Sequence, residues 1–415
     1  MGELIRDRER LGRRLPELVR AAPIHDIHTH LFAPEFGALN LRGIDALLDY
    51  HYVLAELYRE VWPGRDAAGV AAMSPEDRSA LIWQRLFVDR HPVSEACRGV
   101  VTCLQEHGLD PNAPLAEHRR ALGALSPEQH VDRVLERSGV RTVVMTNDPF
   151  DLAEAPIWQP GASYDSRFRS VLRLDPLFDL DEVTAGRLAD QGYTVSPELD
   201  SESVKELRRF LDDWIARMDP LYLAASLPPV GGVSERFVDA VLMPAAVDAD
   251  RPLALMIGVR RGVNPAHGLA GDGLGKADLS LMERLCREHA SHRFLCTVLA
   301  RENQQELAVL ARKFPNLHVF GCWWFVNIPS LTDEITRMRI ELLGHSVTPQ
   351  HSDARVLDQL LYKWRETRLM LEPVLLDKYG ALIDRGFAVD ESKLETEIAD
   401  WLGARAMRFL AGDNA

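Results

Sequence analysis

The sequence predicts a (β/α)8 barrel with a helical insertion after its first strand. Three observations predict it. Short apolar runs recur along the chain with helical or loop text between them, the pattern of a parallel sheet. Eight of them in one chain match the strand number of the closed barrel. The first run leads into His28-Thr29-His30, where a doubly wound sheet would carry a Gly-rich dinucleotide turn.

The predicted strands, in order, are 24–28, 142–146, 171–174, 222–225, 253–257, 294–298, 317–321 and a weaker one at 346–350. Several run into polar or Gly-rich text: Asn147-Asp148-Pro149, Asp175-Pro176, Gly258 and Trp323-Trp324. More than 100 residues separate the first two strands, and that stretch reads as helical. Residues 44–58, 79–88, 93–106 and 127–138 carry apolar residues at i, i+3/i+4. No Pro/Gly/Ser linker delimits the stretch. Residues 1–415 are therefore expected to form one domain, with 35–138 a helical insertion over the barrel mouth.

Composition narrows the function. The 46% hydrophobic and 27% charged content is that of a soluble globular chain. A net charge of −14 disfavours nucleic acid and anionic membrane surfaces as partners. A small anionic substrate would need local arginines. The five cysteines, 97, 103, 286, 296 and 322, form no CxxC pair, which suits a reducing cytoplasm. Residues 1–20 mix Arg with Glu and Asp and lack the apolar core of a signal peptide. No apolar run approaches the ~20 residues that span a bilayer.

His28 and His30 carry the strongest chemical signal. Side chains two apart on a strand project to one face, so the pair forms a two-imidazole claw for a transition metal, usually zinc. Strands one and eight of a barrel are neighbours, and barrel enzymes place reacting groups at the C-terminal ends of strands. Asp353, at the end of the eighth run, falls beside the two histidines. Two readings of Asp353 stand: N-cap of the following helix, or third ligand. With two imidazoles, one carboxylate and an open position, the second reading gives a catalytic metal site. Gly271–Lys276 has the look of a phosphate loop, but Ala270 replaces its first Gly and Ala277 its Ser/Thr.

The His28/His30/Asp353 set resembles the metal pattern of the amidohydrolase superfamily. Many of its hydrolases add a Lys on strand four and His on strands five and six. Here strand four has no Lys, and strands five and six have no His. The resemblance therefore implies one metal. The chain further resembles uronate (glucuronate) isomerases of a shorter, divergent subgroup. The matching pieces are His28-Thr29-His30-Leu31, Asp49-Tyr50-His51-Tyr52, Thr146-Asn147-Asp148-Pro149, Arg173-Leu174-Asp175, Gly321-Cys322-Trp323-Trp324-Phe325 and Ser352-Asp353-Ala354-Arg355. Met256 stands where longer members have a strand-five His.

That resemblance implies aldose–ketose isomerisation of D-glucuronate to D-fructuronate, and of D-galacturonate to D-tagaturonate, by C2-to-C1 proton transfer through an enediol. It implies one divalent metal, zinc, on His28, His30 and Asp353. It gives His51, Tyr52, Asp353 and Arg355 catalytic roles. Either an Arg355-assisted Tyr52 phenolate or His51 would move the proton. Arg173 would grip the substrate, or pair with Asp148 or Asp175. One of Trp323 and Trp324 would floor the sugar site and the other join the core. The rival expectation is a mononuclear hydrolase of a lactone, ester or amide. The expected partner is a small-molecule uronate, with a homo-oligomer left open.

Overall fold

The computed structural model describes residues 3–60 and 67–413. Residues 61–66 of the expected insertion lie outside the described residues. Eight parallel strands form the frame. They are β1 (Ile24–Asp26), β2 (Val140–Val144), β3 in two pieces (Phe168–Arg169 and Leu172–Arg173), β4 (Leu223–Leu227), β5 (Leu253–Ile257), β6 (Phe294–Val298), β7 (Leu317–Phe320) and β8 (Val347–Thr348). The ladder β1–β2–β3 continues as β3–β4–β5–β6–β7–β8. The Asn147–Leu172 bridge, just beyond the end of β2, pairs that strand's extension with the second piece of β3 and so joins the two ladders. The ring closes beyond the strand ends, where Asp353 N donates to His28 O (3.3 Å) and His30 N to Ala354 O (2.7 Å).

The registers Leu223↔Leu253 and Phe294↔Leu253 align the central strands, and alternation then sorts their side chains. Leu253, Leu255 and Ile257 of β5 face the surrounding helices. Ala254 and Met256 join Val144, Tyr222, Ala224, Leu295 and Phe320 in a separate core inside the barrel. Both faces are apolar, so β5 reads as an unbroken apolar run, as parallel strands do. Phe409 and Leu410 of the C-terminal helix (Arg405–Ala411) complete the interior core.

Two expected strands, 253–257 and 294–298, have those bounds in the structure. Others shift. β1 stops at Asp26, and His28 and His30 continue it as an extended segment held by both neighbours. β8 keeps only Val347–Thr348. β7 ends at Phe320, before Trp323-Trp324, so opposite facing no longer applies to that pair. Both indoles pack on the interior core.

Between β1 and β2 lie the helices Ile44–Leu48, His51–Glu60, Ala67–Ala71, Pro75–Trp83, Glu95–Glu106, Leu115–Gly123 and Pro127–Ser138. The expected helix 44–58 is broken at Asp49-Tyr50. Arg78 grips both carboxylate oxygens of Asp49 there, and the break turns Tyr50 and His51 toward the barrel. Pro127–Ser138 has a capping box from Ser126 and Gln129 and ends on Gly139 in the left-handed conformation, so its bounds were readable. No helix among the described residues is long and apolar enough to cross a membrane.

Candidate metal centre and active-site cavity

His28 and His30 follow β1 because neighbouring strands hold the backbone there. Thr29 N and Oγ1 both donate to Val144 O, at 2.9 and 2.8 Å. Thr146 Oγ1 donates to Thr29 O at 2.8 Å. Beneath them Asp26, fully buried, accepts from Ser352 N (3.1 Å) and Trp364 Nε1 (2.9 Å). Asp26 thus locks the start of the ring to its end. Burial pushes its carboxyl up to about 6 despite those donors.

His28 Nε2 and His30 Nε2 stand 3.7 and 3.4 Å from Asp353 Oδ1. The ligand atoms of all three lie within 4.8 Å of one another. His28 Nε2 and Asp353 Oδ1 are buried without a hydrogen-bond partner. Buried polar atoms left unpaired are costly, and these two, converging with a ligand nitrogen of His30, suit a cation. The Tyr222 hydroxyl donates to Ile27 O (2.7 Å) and so turns a lone pair toward His28 Nδ1 (3.4 Å). That places the imidazole proton on Nδ1 and leaves Nε2 bare, the tautomer a metal requires. Burial, and then His30, holds His28 down to about 3, so the ring is neutral. The donor set fits a divalent metal. Asp353 has φ +53°, a strained value for a side-chain-bearing residue at the turn that aims it.

A second group of three, His107, His130 and Asp358, is of another kind. Both Nε2 atoms lie 2.6 Å from the same Asp358 Oδ1, at hydrogen-bonding distance, and Gly43 N donates to Oδ2 at 2.7 Å. The carboxylate is already saturated by protein donors. It pins the 35–138 segment to the start of the helix Gln359–Ile383.

A cavity of about 720 Å3 opens beside the metal ligands. His30, Tyr50, His51, Thr146, Arg173 and Arg355 line it, from five separate parts of the chain. This size suits a small ligand. Among the described residues Arg355 has no side-chain hydrogen-bond or ion-pair partner; its backbone N donates to Gln359 Oε1 at 2.8 Å. Its guanidinium is an uncommitted cation at the cavity wall. Arg173 pairs with Asp175 through Nη2 at 2.5 Å. Of the two acids considered for it from sequence, Asp175 is the partner.

His51 is neutral, driven well below the usual imidazole range by burial and then by Arg355. The Tyr52 phenol moves the other way. Burial, and then Tyr50 and Asp353, raise it well above its ordinary value. That direction is opposite to the one an Arg355-stabilised phenolate at Tyr52 needs, because burial disfavours the charged form. Tyr52 stacks on Trp324 at 6.5 Å and 11°, and His51 meets the same indole edge-on at 5.7 Å. Trp324 has φ +47° and a buried Nε1 with no partner. Trp323 is almost fully buried.

Three residues around the centre escaped the sequence reading as site residues. Asp26 lies within the apolar first strand, Tyr50 falls on a helix break, and His351 is buried with both ring nitrogens unpartnered, 5.2 Å from the His28 ring. Gly321 makes room for His351, since a Cβ there would lie 1.7 Å from its Nδ1.

A donor set that fits a metal at the C-terminal ends of parallel barrel strands, with cationic and imidazole groups across a cavity, is the arrangement of a (β/α)8-barrel enzyme. No protein-family model matches the chain, and no curated protein does. Solved structures do. A uronate isomerase from Bacillus halodurans C-125 is 47% identical, with 99% of this chain and 98% of that chain covered and a TM-score of 0.94. A glucuronate isomerase from Caulobacter crescentus is 16% identical, covering 98% and 95%, with a TM-score of 0.76. A uronate isomerase from Thermotoga maritima is 15% identical, covering 96% and 97%, at 0.72. The last two show the shared fold; the first carries the family. This chain belongs to the uronate isomerases.

Proposed function

We propose that this chain interconverts D-glucuronate with D-fructuronate, and D-galacturonate with D-tagaturonate. The observation that carries the reading is one cavity holding a neutral His51 and an uncommitted Arg355 against the His28/His30/Asp353 cluster, in a chain 47% identical to a uronate isomerase.

The reaction moves the C2 proton of the open-chain aldose to C1 while the C2 hydroxyl proton passes to O1, so C1 becomes a hydroxymethyl carbon and C2 a ketone. Neutral His51 is the base that takes the C2 proton and returns it to C1, since an imidazole held deprotonated is ready to accept. Tyr52, protonated, supports His51 and packs the wall with Trp324. Arg355 stabilises the enediolate charge through a guanidinium that no protein anion competes for. Arg173, braced by Asp175, grips substrate oxygens, and Trp324 floors the sugar chain. His28, His30 and Asp353 hold one divalent metal, zinc by the chemistry of two imidazoles and a carboxylate. When bound, that metal would polarise substrate oxygens. The 35–138 segment acts as the cover that carries His51 and excludes water from the enediol. The five cysteines are all buried and unpaired, which fits a reducing compartment, and we place the chain in the cytoplasm.

The test is incubation of the zinc-loaded protein with D-glucuronate, followed by NMR. Ketose signals are the expected result. No ketose from either uronate would refute the reading.

A further inference from the structure

The acids along the cavity are not equivalent. Asp45 is bound by Arg119 and Asp49 by Arg78. Glu154 accepts from Asn147 Nδ2 (2.7 Å), Asp148 N (2.9 Å) and Trp158 Nε1 (3.3 Å), which uses both its oxygens. Asp151 sits exposed at the rim. Asp148 differs from all of these. It is half-buried, its Oδ1 accepts from Phe150 N at 2.9 Å, and its Oδ2 has neither hydrogen bond nor ion pair among the described residues.

Its mounting is rigid. Glu154 clamps the Asp148 backbone N, and Asn147 O accepts from Arg173 N at 2.9 Å, fixing Asp148 beside the end of β3. Thr146, two residues earlier, is tied to Thr29 next to the metal ligands. A half-buried carboxylate oxygen facing a cavity needs a donor, and a polyhydroxylated sugar acid brings several.

We propose that Asp148 is a specificity-determining residue, whose Oδ2 accepts a hydrogen bond from a hydroxyl of the substrate's sugar chain. The inference rests on the uronate isomerase reading above and adds to it the acceptor that orients the hydroxylated chain. The competing role is charge balance for Arg173. The two predict opposite signs. If Asp148 only offsets Arg173, removing its charge strengthens the grip on a uronate carboxylate and lowers KM. If Oδ2 binds a hydroxyl, removing the acceptor raises KM.

Asp148→Asn separates them, because the amide keeps Oδ1 for Phe150 N and replaces the Oδ2 acceptor with a donor. Loss of a hydrogen bond to a charged group is worth roughly tenfold or more in binding. The zinc-loaded variant and wild type are assayed on D-glucuronate and D-galacturonate, which differ at C4, and their thermal midpoints are compared. The expected result is a KM raised about tenfold or more, by different factors for the two sugars, with kcat changed far less and the midpoint unmoved. An unchanged or lowered KM overturns the inference while wild-type turnover leaves the isomerase reading standing. Wild type that forms no ketose overturns both.

Discussion

Asp26 Oδ1 accepts the backbone N–H of Ser352 at 3.1 Å and so joins the first strand to the turn that carries Asp353. The residues are 326 apart in sequence. The candidate metal centre is therefore built across the seam where the barrel closes, and the three residues that would hold a metal share one rigid support.

Because two of the three ligands come from one side of that seam, His28→Ala should lower bound metal far below one ion per chain, measured by elemental analysis after dialysis. Tyr222 stays anchored to Ile27 O in the variant, so the far-UV circular dichroism should be unchanged. A variant that holds a full equivalent of metal would remove His28 from the ligand set.

Arg355→Met should keep its metal and lose about 10- to 100-fold in kcat/KM, the worth of a charge-assisted contact. The native guanidinium bonds to no group among the described residues, so folding has little stake in it. A large drop in thermal midpoint would show a structural role instead.

Asp358→Ala deprives the His107 and His130 Nε2–H groups and Gly43 N of their common acceptor. Each buried donor left unpaired costs about 1–3 kcal/mol, so a loss of roughly 3 kcal/mol or more is expected in urea unfolding. The native carboxyl is held well below the usual carboxylate range by its His107 and His130 hydrogen bonds, which outweigh the opposing effect of burial. A folded value below the unfolded one gives stability that is present above about pH 4 and is lost as pH falls through the folded value. The variant should lack that acid-side slope.

Glu154 behaves in the opposite sense, since burial raises its carboxyl from 4.5 to about 7. Folding then takes up a proton in this window. Its contribution to stability is full below the unfolded value and declines as pH rises through about 7. Thermal midpoints of wild type should therefore fall more between pH 5 and 8 than those of Glu154→Gln. Parallel profiles for the two proteins would contradict this.

The strand text at 253–257 and 294–298 determined its own structure, because both faces of a parallel barrel strand are buried and the apolar run has no other use. The His28-Thr29-His30 spacing likewise determined that two imidazoles project together. The helix at 127–138 announced its ends through local cap chemistry. Local sequence could not say that helix 44–58 breaks at Asp49-Tyr50, where Arg78, 29 residues away, binds the Asp49 carboxylate. Nor could it choose the state of His51 and Tyr52. Burial and the charges of Arg355 and Asp353 set those states, and only the closed barrel brings them together. The partner of Arg173, the placing of Trp323 and Trp324, and the free oxygen of Asp148 were decided in the same way. Pattern fixes which face a side chain takes; its protonation and its partner come from contacts between residues far apart in the chain.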